Sequence, residues 1–362
     1  MNEKAGALVS AIIATYNSEK VLEKTLQALR NQTYPQELIE ILVMDGMSSD
    51  NTRNIASNYD CRIIDNPKVE QGNAKILGMQ NARGKYVLFV DSDEVLEYPE
   101  AIKKTVEAFE KEKECHYAVC SGYKKPDDYP DLSGYISDLG DPFSFFVYRC
   151  PKDYRFYSNY LHKNFKITNE NDDYFIFDCD LYKKFVLIEG GCGGAMMDMD
   201  YFGEFIPECR TRIADLYHCF YQMCERGDTK VLYMKNDPLA HYSSDKVSGY
   251  LRKLRWRVCN NIHFQEKGEE VFSGREKFEK KNHLKKYFFI PYGLIFVIPF
   301  LHSLPYAFSR KNKAYLWHCV FAFYVVIQII YQYILKMLHI TPAFVAYGSK
   351  DKINNKSEKN EK

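Results

Sequence analysis

Three short polar clusters carry side chains suited to a nucleotide diphosphate: Thr15-Tyr16-Asn17, Asp45 within residues 44–52, and Asp91-Ser92-Asp93. A nucleotide needs an acceptor for a uracil or guanine N–H, partners for its ribose hydroxyls and a cation for its phosphates. Asp45 offers the first. Asp91, with Ser92 beside it, can reach the ribose or the metal. Asp93 offers the hard oxygen that Mg2+ or Mn2+ takes while leaving positions open for phosphate. Such an ion offsets the charge on a departing diphosphate. A D-x-D triplet by itself is common and usually caps a turn. An EF-hand loop starting at Asp91 is excluded, because its sixth position is Leu96 instead of Gly and its twelfth is Ile102 instead of Glu. No G-x-G-x-x-G follows the first apolar run, which removes a dinucleotide site.

The elements expected around these clusters give them their weight. Residues 8–14 form an apolar run of strand length, and Val21, Leu22, Thr25, Leu26 and Leu29 then recur at helical spacing behind a Ser18 placed to cap. Residues 38–44, 61–64 and 86–90 read as further strands. Residues 50–59, 71–82 and 99–113 read as helices, the last with Pro in its favourable first turn. Strands alternating with helices predict βαβ units and a parallel sheet, whose ligands gather at the carboxyl ends of the strands. Each polar cluster directly follows an expected strand, so all three should meet along one edge. Beyond residue 115 the pattern loosens. Residues 123–180, rich in Tyr, Phe, Asp and Asn, are expected to be loops and mixed strands shaping an acceptor cleft. Residues 213–226 read as a helix, 231–234 as a strand and 248–267 as a basic amphipathic helix.

In their order and spacing, Ser10-Ala11-Ile12-Ile13-Ala14-Thr15-Tyr16-Asn17, Val43-Met44-Asp45-Gly46-Met47-Ser48-Ser49-Asp50-Asn51-Thr52, Gly72-Asn73-Ala74-Lys75 and Ala82-Arg83-Gly84-Lys85-Tyr86-Val87-Leu88-Phe89-Val90-Asp91-Ser92-Asp93-Glu94 make residues 8–122 resemble the catalytic core of family 2 glycosyltransferases. The resemblance implies an α/β, GT-A fold: Rossmann-like, a mostly parallel sheet with helices on both faces. It implies an inverting transfer from a nucleotide-diphosphate sugar with Mg2+ or Mn2+. It also implies a nucleotide pocket lined by Thr15, Tyr16 and Asn17, base binding by Asp45, and Asp91 and Asp93 as the D-x-D pair. Lys75 stands where relatives often carry Arg near the phosphates. The chain departs from the pattern at Glu94, where many relatives have Asp, and at Ala14, where Pro is common.

Inverting displacement requires a base for the acceptor hydroxyl. Relatives carry it in a Glu-Asp pair that opens a helix after a Phe-Asp-Glu segment. Here Phe202-Gly203-Glu204 is followed by Ala214-Asp215, so the resemblance points to Asp215, with Asp198 and Asp200 as rivals after the glycine-rich turn 190–194. An Asp near a helix N-terminus also suits the helix dipole with no catalytic role. His241 matches a family His that joins the metal or diphosphate site. Arg252-Lys253-Leu254-Arg255-Trp256 partly resembles the Q-x-x-R-W motif of processive members, with Arg255 suited to diphosphate and Trp256 to stacking on an acceptor ring. A basic helix on a membrane surface fits the same residues.

Bulk composition narrows the remainder. The 362 residues carry 49 basic and 48 acidic side chains, a near balance that argues against nucleic acid as partner. Eleven scattered cysteines without a C-x-x-C pair suit reduced thiols in a cytosolic compartment. The apolar stretch 5–14 runs on into a helical pattern, as a buried first strand does and a signal peptide does not. Residues 287–308 and 314–335 are uncharged and long enough to span a bilayer, with an interfacial or re-entrant pair or a buried core helix as the alternatives. The expected organisation is a catalytic domain over 1–245 (nucleotide-sugar half 1–122, acceptor half 123–245), a basic amphipathic linker over 246–286, a hairpin of two hydrophobic membrane helices over 287–338, and a disordered polar tail over 339–362. Lys277, Lys280, Lys281, Lys285 and Lys286 put the catalytic domain on the cytoplasmic face. Arg310, Lys311 and Lys313, between the apolar stretches, would then lie on the wrong side. The acceptor expected is a lipid-linked or membrane-presented glycan. The alternatives are a polyprenyl-phosphate sugar synthase and an inactive sugar-nucleotide or glycan-binding relative.

Overall fold

A computed structural model describes residues 6–264, 275–279 and 284–343. Its strands are β1 (Val9–Thr15), β2 (Ile39–Asp45), β3 (Arg62–Asp65), β4 (Tyr86–Phe89), β5 (Glu94–Leu96), β6 (Tyr117–Val119), β7 (Gly122–Lys124), β8 (Lys166–Glu170), β9 (Tyr174–Asp178), β10 (Met196–Asp198), β11 (Lys230–Met234) and β12 (Pro238–His241). Nine of them form one sheet in the order β3-β2-β1-β4-β10-β6-β11-β9-β8, and β5-β12-β7 form a smaller one.

β3, β2, β1 and β4 pair in parallel, as the alternating pattern predicts. Helices cover both faces of β1, β2 and β4, which are buried at every position, whereas the edge strand β3 is not. Ile12, Leu42, Val87 and Phe89 share one core with Ala74 and Met79 of the helix Gln71–Asn81. Ile13, Ile41, Val43 and Leu88 share the other with Leu26 of the helix Leu22–Arg30 and Ile102 of the helix Ala101–Lys111. Gly78 lets its helix press onto β1, because a Cβ there would lie 2.3 Å from Ile12 Cγ2.

Past β4 the sheet is mixed. β10 runs antiparallel to β4 and β6, and β11 is parallel to β6 but antiparallel to β9. β10 follows the turn at residues 190–194 and not a helical crossover, and parallel neighbours need such a crossover. Residues 123–180 depart from the expected loops and strands. They hold three helices, Asp131–Leu139, Pro142–Tyr148 and Tyr154–Asn164, before β8 and β9. Leu132, Tyr135, Ile136 and Leu139 repeat at helical spacing and are buried, but Ser, Gly and Asp between them mask the period in the sequence. Ser18 does not cap with its side chain; its carbonyl accepts from Val21 and Leu22 N–H, and its hydroxyl turns to Ser92.

Of the two hydrophobic helices expected over 287–338, the first is bent and the second is continuous. Lys285–Leu294 and Val297–Arg310 are bent by 97° against each other, while Lys313–Met337 is one apolar stretch of crossing length. The bend lies at Ile295 and Phe296, four residues before Pro299, whose ring lacks an N–H and clashes with the carbonyl four residues back. The basic segment opens with the helix expected there. Val247–His263 is a helix that buries Tyr250, Leu254, Val258 and Ile262. Arg275 pairs with Glu189. Lys280, Lys281, residues 265–267 and most of the tail expected over 339–362 lie outside the described residues. All eleven cysteines are free.

Candidate active site

Strand register brings the predicted clusters together. β1 and β2 end opposite each other at Thr15 and Asp45. Phe89 lies opposite Ile12, so Asp91 stands level with Ala14 on the same carboxyl edge. The small sheet adds His241, opposite Glu94.

Asp45 is fully buried. Its carboxylate accepts from Thr15 Oγ1 at 3.2 Å, Ser48 Oγ at 2.6 Å, Ser48 N at 3.0 Å and Arg53 Nη1 at 3.0 Å. With its lone pairs engaged, it shapes the loop after β2 and is not the open base acceptor expected; a direct base contact requires Ser48 or Arg53 to move. Asn17 faces the same loop. It adopts the left-handed region (φ 48°), its N–H donates to Ser48 Oγ, and its side-chain oxygen accepts from Ser49 N, both at 2.9 Å. Tyr16 packs on Gly46, where a Cβ would come within 3.2 Å of its ring.

Asp91 is partly exposed and held from behind. Its carboxylate sits 2.9 Å from Lys75 Nζ and accepts from Gln71 Nε2 at 3.1 Å. Lys75 is buried. Burial opposes its charge, but Asp91 and then Cys192 and Tyr217 outweigh that and hold the ammonium well above its ordinary value. Cys192 Sγ is 3.7 Å from Lys75 Nζ, and burial pushes the thiol up to about 12, which removes it as a nucleophile. Cys192 rides on the glycine-rich turn, where Gly193 and Gly194 have φ of 59° and 67° and Gly194 N–H donates to the Phe89 carbonyl. Only glycine adopts that path without strain. Ser92 Oγ lies 2.9 Å from Ser18 Oγ, tying this turn to the first cluster.

Asp93 Oδ2 lies 3.6 Å from His241 Nε2. Ser137 Oγ donates to the Ser133 carbonyl at 2.8 Å and lies 3.0 Å from His241 Nδ1. Its one proton is therefore used, and it accepts from Nδ1–H. With Nδ1 donating to Ser137, Nε2 faces the Asp93 carboxylate, where it donates a proton as an imidazolium and offers a lone pair to a cation as a neutral ring. Burial raises the Asp93 carboxyl, yet His241 and Lys253 more than offset this and hold it below its usual range. Glu94, the departure from the family pattern, is buried; it accepts from Asp91 N–H and Tyr123 OH, both at 2.9 Å. Burial, then Asp91, pushes its carboxyl up to about 7. Among the described residues no group of three or more His, Cys, Asp or Glu forms a metal cage. Asp93 and His241 could supply two ligands to an ion such as Mg2+, which completes its shell with water and phosphate oxygen.

Lys253 was not singled out from the sequence, yet it is the cation of its helix that faces the acids. Burial lowers it, while Asp93, Asp91 and Glu94 oppose that shift. Arg255, expected at the diphosphate, is exposed and lies on the side of Cys259 and Tyr324 instead; Trp256 is half-buried. The helical period explains the exchange, since Lys253 and Arg257, four apart, share a face that Arg255 does not.

Asp215 lies in the first turn of the helix Ile213–Glu225. Ile213 packs at Gly72, beside the Gln71 that bonds Asp91, so this helix borders the site. Asp215 itself is engaged, with Oδ1 accepting from Gln222 Nε2 at 2.8 Å and Oδ2 lying 3.1 Å from Arg212 Nε. The rivals are elsewhere. Asp198 pairs across the sheet with Tyr86, at the opposite end of β4 from Asp91 and about 16 Å away. It caps a helix through Asp200 N–H.

Comparisons with known proteins agree with this geometry. Residues 10–191 match Glycosyl transferase family 2, half of the chain. A Staphylococcus aureus protein, poly(ribitol-phosphate) beta-N-acetylglucosaminyltransferase TarS, is 36% identical over 95 residues, 24% of this chain and 16% of that protein. A Campylobacter jejuni GalNAc(5)-diNAcBac-PP-undecaprenol beta-1,3-glucosyltransferase is 35% identical over 95 residues, 24% of this chain and 30% of its own length. The chain thus spans less than a third of either relative. The mannosyltransferase PcManGT from Pyrobaculum calidifontis, solved with GDP-Man and Mn2+, superposes over 91% of this chain and 88% of its own with a TM-score of 0.52 at 14% identity. That last likeness concerns the fold, a GT-A-like mixed α/β sheet. The chain belongs to glycosyl transferase family 2.

Proposed function

We propose that this family 2 chain is an inverting glycosyltransferase that moves a sugar from a nucleotide-diphosphate donor to a hydroxyl of a lipid-linked or membrane-presented glycan. The observation that carries this reading is the approach of Asp93 Oδ2 to within 3.6 Å of His241 Nε2, at the strand edge that also holds Thr15, Tyr16, Asn17 and Asp91. The relatives and structural neighbours lend it support, since they include transferases for polymer and undecaprenol-linked acceptors and one solved with a nucleotide sugar and Mn2+.

Asp93 and His241 hold Mg2+ or Mn2+, which when bound stabilises the charge developing on the departing diphosphate. Lys75 pairs with Asp91 and orients it toward the ribose or the metal. Ser92 and Ser18 close the pocket floor. Asp45 aligns the loop over the base through Ser48 and Arg53. Lys253 adds positive charge on the phosphate side. Asp215 takes the proton of the acceptor hydroxyl as its oxygen attacks the anomeric carbon opposite the diphosphate. The cytoplasmic face is where this reading puts the catalytic edge, on the strength of the lysines before the first apolar stretch.

One observation favours a second reading, a polyprenyl-phosphate sugar synthase. Both Asp215 oxygens face Gln222 and Arg212, and a phosphate acceptor is already ionised and needs no base. The first test is thermal unfolding with UDP- and GDP-sugars, with and without Mn2+. A matching donor at a hundredfold excess over its Kd adds about 2.7 kcal/mol of stability. The shift should need metal and vanish in Asp93→Asn; metal-independent shifts, or none with any donor, overturn the reading.

A further inference from the structure

Two properties of the C-terminal segment point the same way. The first is that the helix His318–Met337 has two apolar stripes. One stripe, Phe321, Ala322, Val325 and Val326, is buried against Tyr135, Tyr250 and Leu254. The other, Val320, Phe323, Ile327, Ile330, Ile334 and Met337, repeats at intervals of three and four and is exposed. An amphipathic helix of a water-soluble domain has only the first. The apolar surface continues onto the bent segment before it, where Val297 is 61% and Phe308 77% exposed. Exposed contiguous apolar surface on this scale marks an interaction site.

The second property is that every end of the segment is tied to the catalytic unit. Lys285 Nζ donates to the Val147 carbonyl at 2.7 Å, where the bent segment starts. Where it ends, Arg310 Nε donates to the fully buried Asp138 at 3.0 Å, and Asn312 Nδ2 donates to the Asp131 carbonyl at 2.8 Å. Tyr315 OH also donates to Asp138, at 2.7 Å. The helix that follows opens with His318 on Tyr135 OH at 2.9 Å and closes with Lys336 Nζ on the Ile262 carbonyl at 3.0 Å. A segment that crossed the bilayer would carry its far end away from the catalytic unit, and both apolar stretches begin and finish on it. The long helix lies along Val247–His263, which carries exposed Arg252 and Arg255. Were one helix in the hydrocarbon, those cations would be drawn in with the other at several kcal/mol each.

We infer that this chain is monotopic: residues 285–340 form an in-plane platform that rests on one leaflet of a bilayer and does not cross it. Lipid is the occupant that fits, because the face is apolar and its margin carries exposed Arg255, Lys311 and Lys313, which suit anionic headgroups. The topology also removes the conflict in the charge pattern. Arg310, Lys311 and Lys313 lie on the catalytic side, and no positive loop has to be exported. The platform borders the candidate site, since Lys253 and the buried face of Val247–His263 belong to one helix. This inference deepens the proposed acceptor class and rests on that reading only for the acceptor.

Two measurements on the full chain test it. Purified protein should co-float with phosphatidylcholine vesicles containing phosphatidylglycerol, and more weakly without the anionic lipid. The double substitution Val297→Glu/Phe308→Glu should weaken flotation by at least about tenfold while leaving metal-dependent donor hydrolysis intact. A wild-type protein that does not float overturns the inference, and self-association in solution through this face would assign it to a second copy. In sealed inverted membrane vesicles, Lys313→Cys and a catalytic-surface control, Lys163→Cys, should react with an impermeant maleimide from the same side. Labelling from opposite sides makes the segment transmembrane and overturns monotopy. Failure of this inference leaves donor turnover untouched, whereas vesicle binding without turnover of any nucleotide sugar sinks the transferase reading alone.

Discussion

The donor edge and the C-terminal platform treat surface in opposite ways. At the donor edge almost every charged atom has an internal partner. Asp91 has Lys75, Asp45 has Arg53 and Ser48, and His241 has Ser137. Asp93 and His241 face each other at 3.6 Å, two groups that can share a hard cation. On the platform one apolar stripe is packed against the catalytic unit, and a second, longer one is exposed among the described residues. Each region presents one such feature, and the chemistry of that feature names what it takes: a hard cation with phosphate in one case, hydrocarbon in the other.

The sharpest way to break the comparison is at Asp93. Asp93→Asn keeps the shape but removes the anionic ligand, and turnover with Mn2+ should fall about a thousandfold. Steady-state donor hydrolysis measures this, and near-normal activity would make the Asp93–His241 pair structural. Next comes Asp215→Asn. A hydroxyl acceptor predicts a loss of about a hundredfold or more in kcat with donor Kd unchanged. Unchanged kcat would instead favour the phosphate acceptor.

Lys75→Met tests whether the donor edge is balanced by pairs. It strands Asp91 beside a buried apolar side chain, so donor Kd should rise about tenfold and stability fall by about 2 kcal/mol, read from urea unfolding. The smallest expected effect on activity is at Asp237, between β11 and β12. It is buried, its Oδ1 has no hydrogen-bond partner among the described residues, and burial pushes its carboxyl up to about 8. The folded state thus holds a proton that the unfolded chain releases near pH 4, so wild-type stability drains away as pH rises from about 4 to about 8. Asp237→Asn should unfold about 5 °C above wild type at pH 8.5, with the gap closing toward pH 5. A gap independent of pH would refute the buried-proton account.

Legibility from sequence followed locality. β1, β2 and β4 were readable because a strand covered on both faces is mostly apolar, and the polar cluster at or just past its end stands out. His241 was readable through the family pattern, but its partner Ser137 was not, since the two are 104 residues apart. Lys253 was overlooked because the motif drew notice to Arg255, and only the rotation of the packed helix decides which cation faces Asp93. The helices within 123–180 were hidden by aromatic and polar residues whose burial depends on the C-terminal segment lying against them.

By itself, then, the sequence determined the alternating βα order, the polar triads at three strand ends and the presence of two uncharged apolar stretches, because each of these is written in a few neighbouring residues. The tertiary structure alone decided which carboxylates remain open. Asp45 is saturated by residues its loop folds back, Asp198 lies at the far end of the sheet, and Asp93 meets His241 only through the pairing of β5 with β12. It also decided the fate of the apolar stretches. Hydropathy counts how much hydrocarbon a segment prefers; whether that segment crosses a bilayer or lies upon it depends on where its ends are bonded, and Asp138, Val147 and Ile262 hold them on one side.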